Sequence, residues 1–273
     1  MALSATVSAL FIYPVKSCCG VQLTAARVTE RGFEHDREWM IVDTAGRFLS
    51  QREFPALSRI VPALSPSTLE LTAPGRKPLA IPLDQAGTLK TVTVWRDSLT
   101  AIDQGSAPAE WLSDWIGQDV RLMRFDPRVR RACNPAYVGD AGAHTSFADA
   151  YPLLVLSQGS LADLNGRLAA PLPVNRFRPN IVLSGIEAYD EDHIDEIVAG
   201  PIAMKLVKPC TRCQITTTDQ MTCERASEPL ATLSTYRMDT ALDGVTFGVN
   251  AIFTAGIGDE LRVGAAVDCS LRF

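Results

Sequence analysis

Two cysteines three positions apart, Cys210 and Cys213, stand in the run Lys208-Pro-Cys-Thr-Arg-Cys213. Soft sulfurs at that spacing can complete a zinc site, form a redox dithiol, or present one thiolate to a soft metal centre. A zinc site needs a second pair of ligands, yet His35, His144 and His193 share no ligand spacing and Cys223 stands alone. A thioredoxin-type pair is expected at the start of a helix, whereas the β-favouring run Gln214-Ile-Thr-Thr-Thr218 follows Cys213 and predicts a strand. A single ligating thiolate, with Lys208 and Arg212 close enough to favour the charged sulfur, fits that context better. Two unremarkable loop cysteines would account for the spacing equally well.

Two further clusters offer hydrogen-bond donors to an anion. Asn175-Arg-Phe-Arg-Pro-Asn180 sets two guanidinium forks around a proline-fixed turn, an array suited to phosphate or another planar acceptor. A solvated strand edge would show the same alternation of Arg176 and Arg178 with Phe177. Tyr13-Pro-Val-Lys-Ser-Cys-Cys-Gly20 presents Lys16 and Ser17 at a strand end, without the spacing of a phosphate-binding loop, so nucleoside triphosphate binding is not supported. Arg37, in His35-Asp-Arg-Glu-Trp39, is another donor. The carboxylates from Glu187 to Glu196 around Tyr189 read as a solvated acidic turn. There is no GxSxG elbow. His35 and His144 are candidates for proton transfer, but each reads more readily as structural or solvated.

These side chains must be carried by short strands. Apolar runs broken by Gly, Pro and Asp predict strands at Thr6–Tyr13, Glu38–Val42 and Thr91–Trp95, then Asn180–Ser184, Ile202–Val207, Thr246–Phe253 and Glu260–Val263. Helices are predicted over Ala107–Ile116, from the Ser157 cap through Leu168, and over Pro229–Tyr236. The polar, arginine-rich stretch 125–143 reads as a linker or mobile loop, which divides the chain into domains at 1–124 and 125–273. The fold class is α+β, mainly β: two associated barrel-like β domains with a few flanking helices. A formal charge of -5 removes the general attraction of a nucleic-acid binder. Seven cysteines, an odd number, with no export signal, argue for reduced thiols. No apolar run is long enough to span a membrane, so a cytoplasmic location is expected.

Taken together and in this order, the clusters resemble the MOSC family, named after the C-terminal domain of molybdenum cofactor sulfurase, with its accompanying N-terminal β-barrel domain. The amidoxime-reducing component branch and its bacterial relatives are most similar. The resemblance rests on Tyr13–Ser17, Asp36-Arg37, Phe147-Ala-Asp-Ala-Tyr-Pro152, Ser160–Asn165, Arg176–Asn180, Lys208–Cys213, Glu228-Pro-Leu230, Tyr236-Arg237, Phe247-Gly248 and Gly258-Asp259.

It implies a molybdenum–pterin cofactor (Mo-molybdopterin) whose metal is ligated by Cys213, with Cys210 a neighbour. Lys16, Ser17, Arg37, Arg178 and Asn180 would contact the pterin and its phosphate, and Thr211 and Arg212 would flank the metal between the two domains. The implied activity is reduction of N-hydroxylated or other N-oxygenated compounds, such as amidoximes and hydroxylamines, to amines. The cofactor carries the chemistry and the protein supplies binding and orientation. Pyridoxal phosphate binding is a further association of the family. No plant-type ferredoxin spacing is present, so electrons are expected from a separate ferredoxin, flavoprotein or cytochrome-type donor. A cofactor carrier or sulfur-transfer module without reductive turnover is the alternative that the sulfurase relationship implies.

Overall fold

Apolar residues alternate along the first strand, Ala2–Ile12, and bury Ala5 and Val7. A bulge between Val7 and Ala9 then shifts the register by one, so Leu10 and Ile12 face the same core. In the computed structural model, residues 2–272 are described; Met1 and Phe273, the outer ends of the two expected domains, lie outside.

Seven strands close into a barrel in the order Leu153–Ser157, Ile181–Ser184, Ala2–Ile12, Ala266–Leu271, Ile194–Ala199, Ile202–Thr211 and Gly244–Ala255, the last pairing back on the first. The first pair is parallel, which requires a crossover, and helix Gln158–Arg167 supplies it. Ser157 caps that helix, its Oγ accepting from Ser160 N–H at 2.9 Å. Val7, Leu10, Val155, Ile181, Met204 and Val249 fill the interior. The barrel thus takes one strand from the beginning of the chain and the others from beyond residue 150.

A four-stranded antiparallel half-barrel lies alongside, in the order Trp39–Asp43, Val120–Phe125, Asp97–Asp103, Leu89–Val94. Strand Trp39–Asp43 is buried on both faces: Trp39 and Ile41 enter one apolar cluster, Met40 and Val42 another. Helix Ser106–Ile116 seats Leu112 in the first of these clusters. The remaining predicted strands and helices form with ends shifted by a few residues. Among the described residues no helix is long and apolar enough to cross a membrane.

Three sequence expectations need correction. Residues 125–143 are not a loose linker: strand Arg131–Ala132 pairs with His144–Thr145, and a short helix spans Pro135–Val138. Arg131 is buried there, paired with Asp97 at 2.7 Å and donating to the carbonyls of Ser146, Ala148 and Asp149. Its fork of donors supplies the partners that a polar loop would otherwise seek from water. Gln214–Thr217 is a 3₁₀ turn, not a strand. Thr216 Oγ1 donates to Cys213 O at 3.0 Å and Thr217 Oγ1 to Gln214 O at 2.8 Å, local bonds that compete with a sheet ladder. The acidic turn is not wholly solvated, since Glu191 is fully buried and accepts from Ser157 N–H and Ser160 Oγ–H.

Candidate functional site

Backbone bonds tie the three donor clusters to one place. Lys16 N–H donates to Trp39 O at 2.8 Å, Arg37 N–H to Tyr13 O at 2.9 Å, and Phe11 N–H to Asn180 O at 2.9 Å. Arg212 N–H donates to Val245 O at 2.7 Å, fixing the end of strand Ile202–Thr211. As a result Lys16, Ser17, Arg37, Arg178, Asn180, Thr211, Arg212 and Cys213 all line a single cleft of about 140 Å³. Phe48, from a loop of the half-barrel side, closes one wall.

The donors differ in what remains free. Asn180 is spent inside the protein: its side-chain oxygen accepts from Arg37 Nη1 at 2.9 Å and Leu154 N–H at 3.2 Å, and its nitrogen donates to Phe11 O at 3.1 Å. Arg37 also pairs with buried Asp36 at 2.5 Å. Burial pushes the Asp36 carboxyl upward, and the Arg37 charge opposes that. Lys16 is buried and gives two bonds, to Phe147 O at 2.7 Å and Asp149 Oδ1 at 2.5 Å. Burial lowers its pKa although Asp149 works against the shift. The Asp149 side chain is 60% exposed, so solvent screens its half of the pair.

Arg178 and Arg212 are different. Among the described residues neither forms an ion pair with a carboxylate within 4.0 Å. Arg178 donates to Cys18 O at 2.7 Å, and burial lowers its pKa. Arg212 donates to Phe177 O at 2.6 Å and Cys210 Sγ at 3.0 Å, while its Nε is buried without a partner. The guanidinium groups of Arg37 and Arg178 both lie against the Tyr13 ring, 4.2 and 4.1 Å from its centroid. Both guanidinium groups are half-buried, and a partly desolvated cation without a counter-ion favours an anionic guest in this cleft.

The two sulfurs are also distinct. Cys210 is half-buried and engaged by Arg212, whereas Cys213 is exposed, with Arg52 Nη1 at 3.8 Å from its Sγ. Among the described residues no group of three or more Cys, His, Asp or Glu is placed to hold a metal by itself. A metal on Cys213 would therefore need the rest of its shell from a cofactor.

Residues 4–119 match the MOSC N-terminal beta barrel domain and residues 142–268 the MOSC domain. The chain belongs to the MOSC family. This MOSC protein is 34% identical over 277 residues to mitochondrial amidoxime reducing component 2 of Bos taurus, which covers 94% of this chain and 82% of that one. Mitochondrial amidoxime-reducing component 1 of Homo sapiens is 35% identical over 259 residues, 91% of this chain and 77% of that protein. Molybdenum cofactor sulfurase of Danio rerio is 31% identical over 266 residues, 90% of this chain and 32% of the longer relative.

The eight residues that the resemblance implied for the cofactor all reach the cleft, whereas Arg176 of the second donor cluster does not and pairs with Asp219 at 3.0 Å. Nor does Lys208: its Nζ lies 4.7 Å over the Tyr137 ring. His35 pairs with Glu38 at 2.8 Å and His144 Nδ1 meets Gly142 O at 3.0 Å, and neither lines the cleft. Sequence reasoning missed Asp149 and Phe48, which line the cleft, and Arg52, which does not line it but lies 3.8 Å from Cys213 Sγ. Asp149 lay inside a quoted motif, and a carboxylate there could have been matched to the lysine. Arg52 had no motif to betray it.

Proposed function

We propose that this protein is a reductase of N-hydroxylated compounds that holds a molybdenum–pterin cofactor in the cleft through Cys213. The observation that carries the reading is an exposed thiol that shares one cleft with Arg178 and Arg212, which among the described residues form no ion pair within 4.0 Å. Lys16, Arg37 and Arg178 would meet the anionic pterin phosphate, with Ser17 a further donor and Asn180 holding Arg37 in place. Thr211 and Arg212 would flank the metal. The bound group supplies two-electron transfer at a soft metal centre; the protein fixes its direction and excludes competing contacts. The net reaction would be R–NHOH + 2 e⁻ + 2 H⁺ → R–NH₂ + H₂O: the N–O bond breaks and the oxygen leaves as water. The two electrons would come from a separate ferredoxin, flavoprotein or cytochrome-type carrier, and the protons from solvent. We also propose that the chain comprises two associated units, 1–124 and 125–273, with the cofactor between them and strand Ala2–Ile12 of the first completing the barrel of the second.

Similarity to a cofactor sulfurase favours a second reading, cofactor carriage or sulfur transfer without reductive turnover. The deciding experiment measures molybdenum per protein, and amidoxime reduction with a supplied donor, for wild type and Cys213→Ala from a cofactor-producing host. Near-stoichiometric metal with turnover in wild type, both lost in the variant, is expected. Metal without turnover would favour the carrier, and absence of metal from both proteins would remove the basis for either reading.

A further inference from the structure

Arg52 is a third arginine beside the cysteines, and the half-barrel side of the chain supplies it. Its guanidinium forms no ion pair within 4.0 Å among the described residues, though the Asp149 carboxylate is near enough to feel its charge, and its side chain makes a hydrogen bond to Cys213 Sγ at 3.8 Å. Most of its N–H donors are without a protein acceptor among the described residues.

The backbone beneath it is nonetheless rigidly held. Gln51, fully buried, donates from Nε2 to Ser17 O at 2.7 Å and to Gln220 Oε1 at 3.1 Å. Arg225 Nη2 donates to Gln51 O at 2.5 Å and to Arg52 O at 2.6 Å. The side chain is held as well, because the guanidinium lies 4.3 Å from the Trp95 ring centroid. Trp95 is 45% exposed, has a left-handed backbone with φ 56°, and donates from Nε1 to Asp149 Oδ1 at 3.0 Å. The Phe48 ring, 5.1 Å away, supports the same indole. Trp95 is the first residue of the two-residue turn that joins Leu89–Val94 to Asp97–Asp103, where hairpin geometry calls for a positive φ, and the turn sets its indole over the Arg52 guanidinium.

We propose that Arg52, which stands beside the cleft at Cys213, is the substrate-anchoring residue, donating to the oxygen of the substrate N–O group, and that Trp95 is the positioning residue that aims it. This rests on the reductase reading above. The cofactor-side arginines point elsewhere, Arg178 to Cys18 O and Arg212 to Phe177 O and Cys210, so Arg52 is the cation left for a second ligand.

The test titrates benzamidoxime into oxidised, cofactor-loaded protein by calorimetry without an electron donor, so that no turnover can occur. Molybdenum content and steady-state kinetics are measured on the same preparations. Arg52→Gln should keep its molybdenum, raise the benzamidoxime Kd roughly 10- to 100-fold, the worth of one charged hydrogen bond, and lower kcat/KM by a similar factor. Arg52→Lys should fall between. Trp95→Ala should shift in the direction of Arg52→Gln, and Trp95→Phe, which keeps a ring under the guanidinium but loses the bond from Nε1 to Asp149, should fall between it and wild type. An Arg52→Gln protein with unchanged Kd and kcat/KM would overturn the proposal. Loss of molybdenum from folded Arg52→Gln would overturn it too, because Arg52 would then belong to the grip on the cofactor. Wild type without molybdenum or turnover would instead fail the underlying reading, a result separable from either of these.

Discussion

Replacing Asn180 with alanine separates a scaffold role from a ligand role. The family resemblance places Asn180 among the cofactor contacts, yet its amide makes three bonds within the protein, to Arg37, Leu154 and Phe11. Two of these are neutral, worth about 1 kcal/mol each, and the charged one about 1.5–3 kcal/mol, so the loss is roughly 3–5 kcal/mol. At about 2–4 °C per kcal/mol for a chain of this size, Tm should fall by roughly 6–20 °C. The measurement is thermal unfolding of cofactor-free Asn180→Ala and wild type, both from a host that cannot make the cofactor. The loss should already be present there, since none of the three bonds involves a ligand. Equal Tm values without cofactor, with a difference appearing only after loading, would refute the scaffold assignment. Arg37 should also loosen in the variant, so molybdenum retention should drop even though Asn180 has little left to offer a ligand.

Two other perturbations test the packing beneath the site. Burial raises the Glu191 pKa from its ordinary 4.5, against the bonds from Ser160 and Ser157, so the folded protein binds its proton more readily than the unfolded chain. Stability from this group is therefore present below pH 4.5 and is lost as pH rises through the folded value. Glu191→Gln should remove that slope, gaining Tm over wild type as pH increases across the window; a parallel pair of Tm–pH curves would contradict this. At Gly20, an added Cβ would sit 2.5 Å from Tyr13 Cε1, and the ring is held by its hydroxyl donating to Pro179 O at 3.0 Å. Gly20→Ala should lose about 1–3 kcal/mol of stability and molybdenum with it, because Arg37 and Arg178 rest on that ring. Unchanged melting and metal content would show that Tyr13 is free to move.

The strand content was legible because apolar runs in this chain are short and punctuated, and the seven-stranded closure was not. Ring closure depends on Ala2–Ile12 pairing with Ile181–Ser184 and Ala266–Leu271, contacts more than 150 residues apart that no local pattern encodes. The strand expected after Cys213 failed for a local reason: threonine favours strands, but its hydroxyl can also return to a carbonyl three residues back, and here two threonines do so. The stretch 125–143 was misread because polarity was taken for mobility, when Arg131 turns inward and satisfies its neighbours. The site itself was legible as a set of donors. Its division into spent and free donors was not, because whether Asn180 or Arg178 has a hydrogen bond left depends on what lies across the barrel.

Backbone strain falls on donors of both kinds. Ser17, Arg37 and Arg178 have φ values of 68°, 47° and 56°, left-handed conformations that cost a non-glycine residue about 1–2 kcal/mol each. Glycine would relieve the backbone at all three positions but would present no side chain. The turns at 13–17, 35–37 and 175–180 therefore hold their donors toward the cleft by backbone geometry, before any ligand arrives. A flexible turn could reach the same contacts, but it would lose conformational entropy on binding. Here that loss is already taken during folding, and the barrel and half-barrel cores supply the stability that makes it tolerable. The arrangement suits a large anionic group that is bound once and retained, because the fold carries the expense of preorganisation whether or not the cleft is filled.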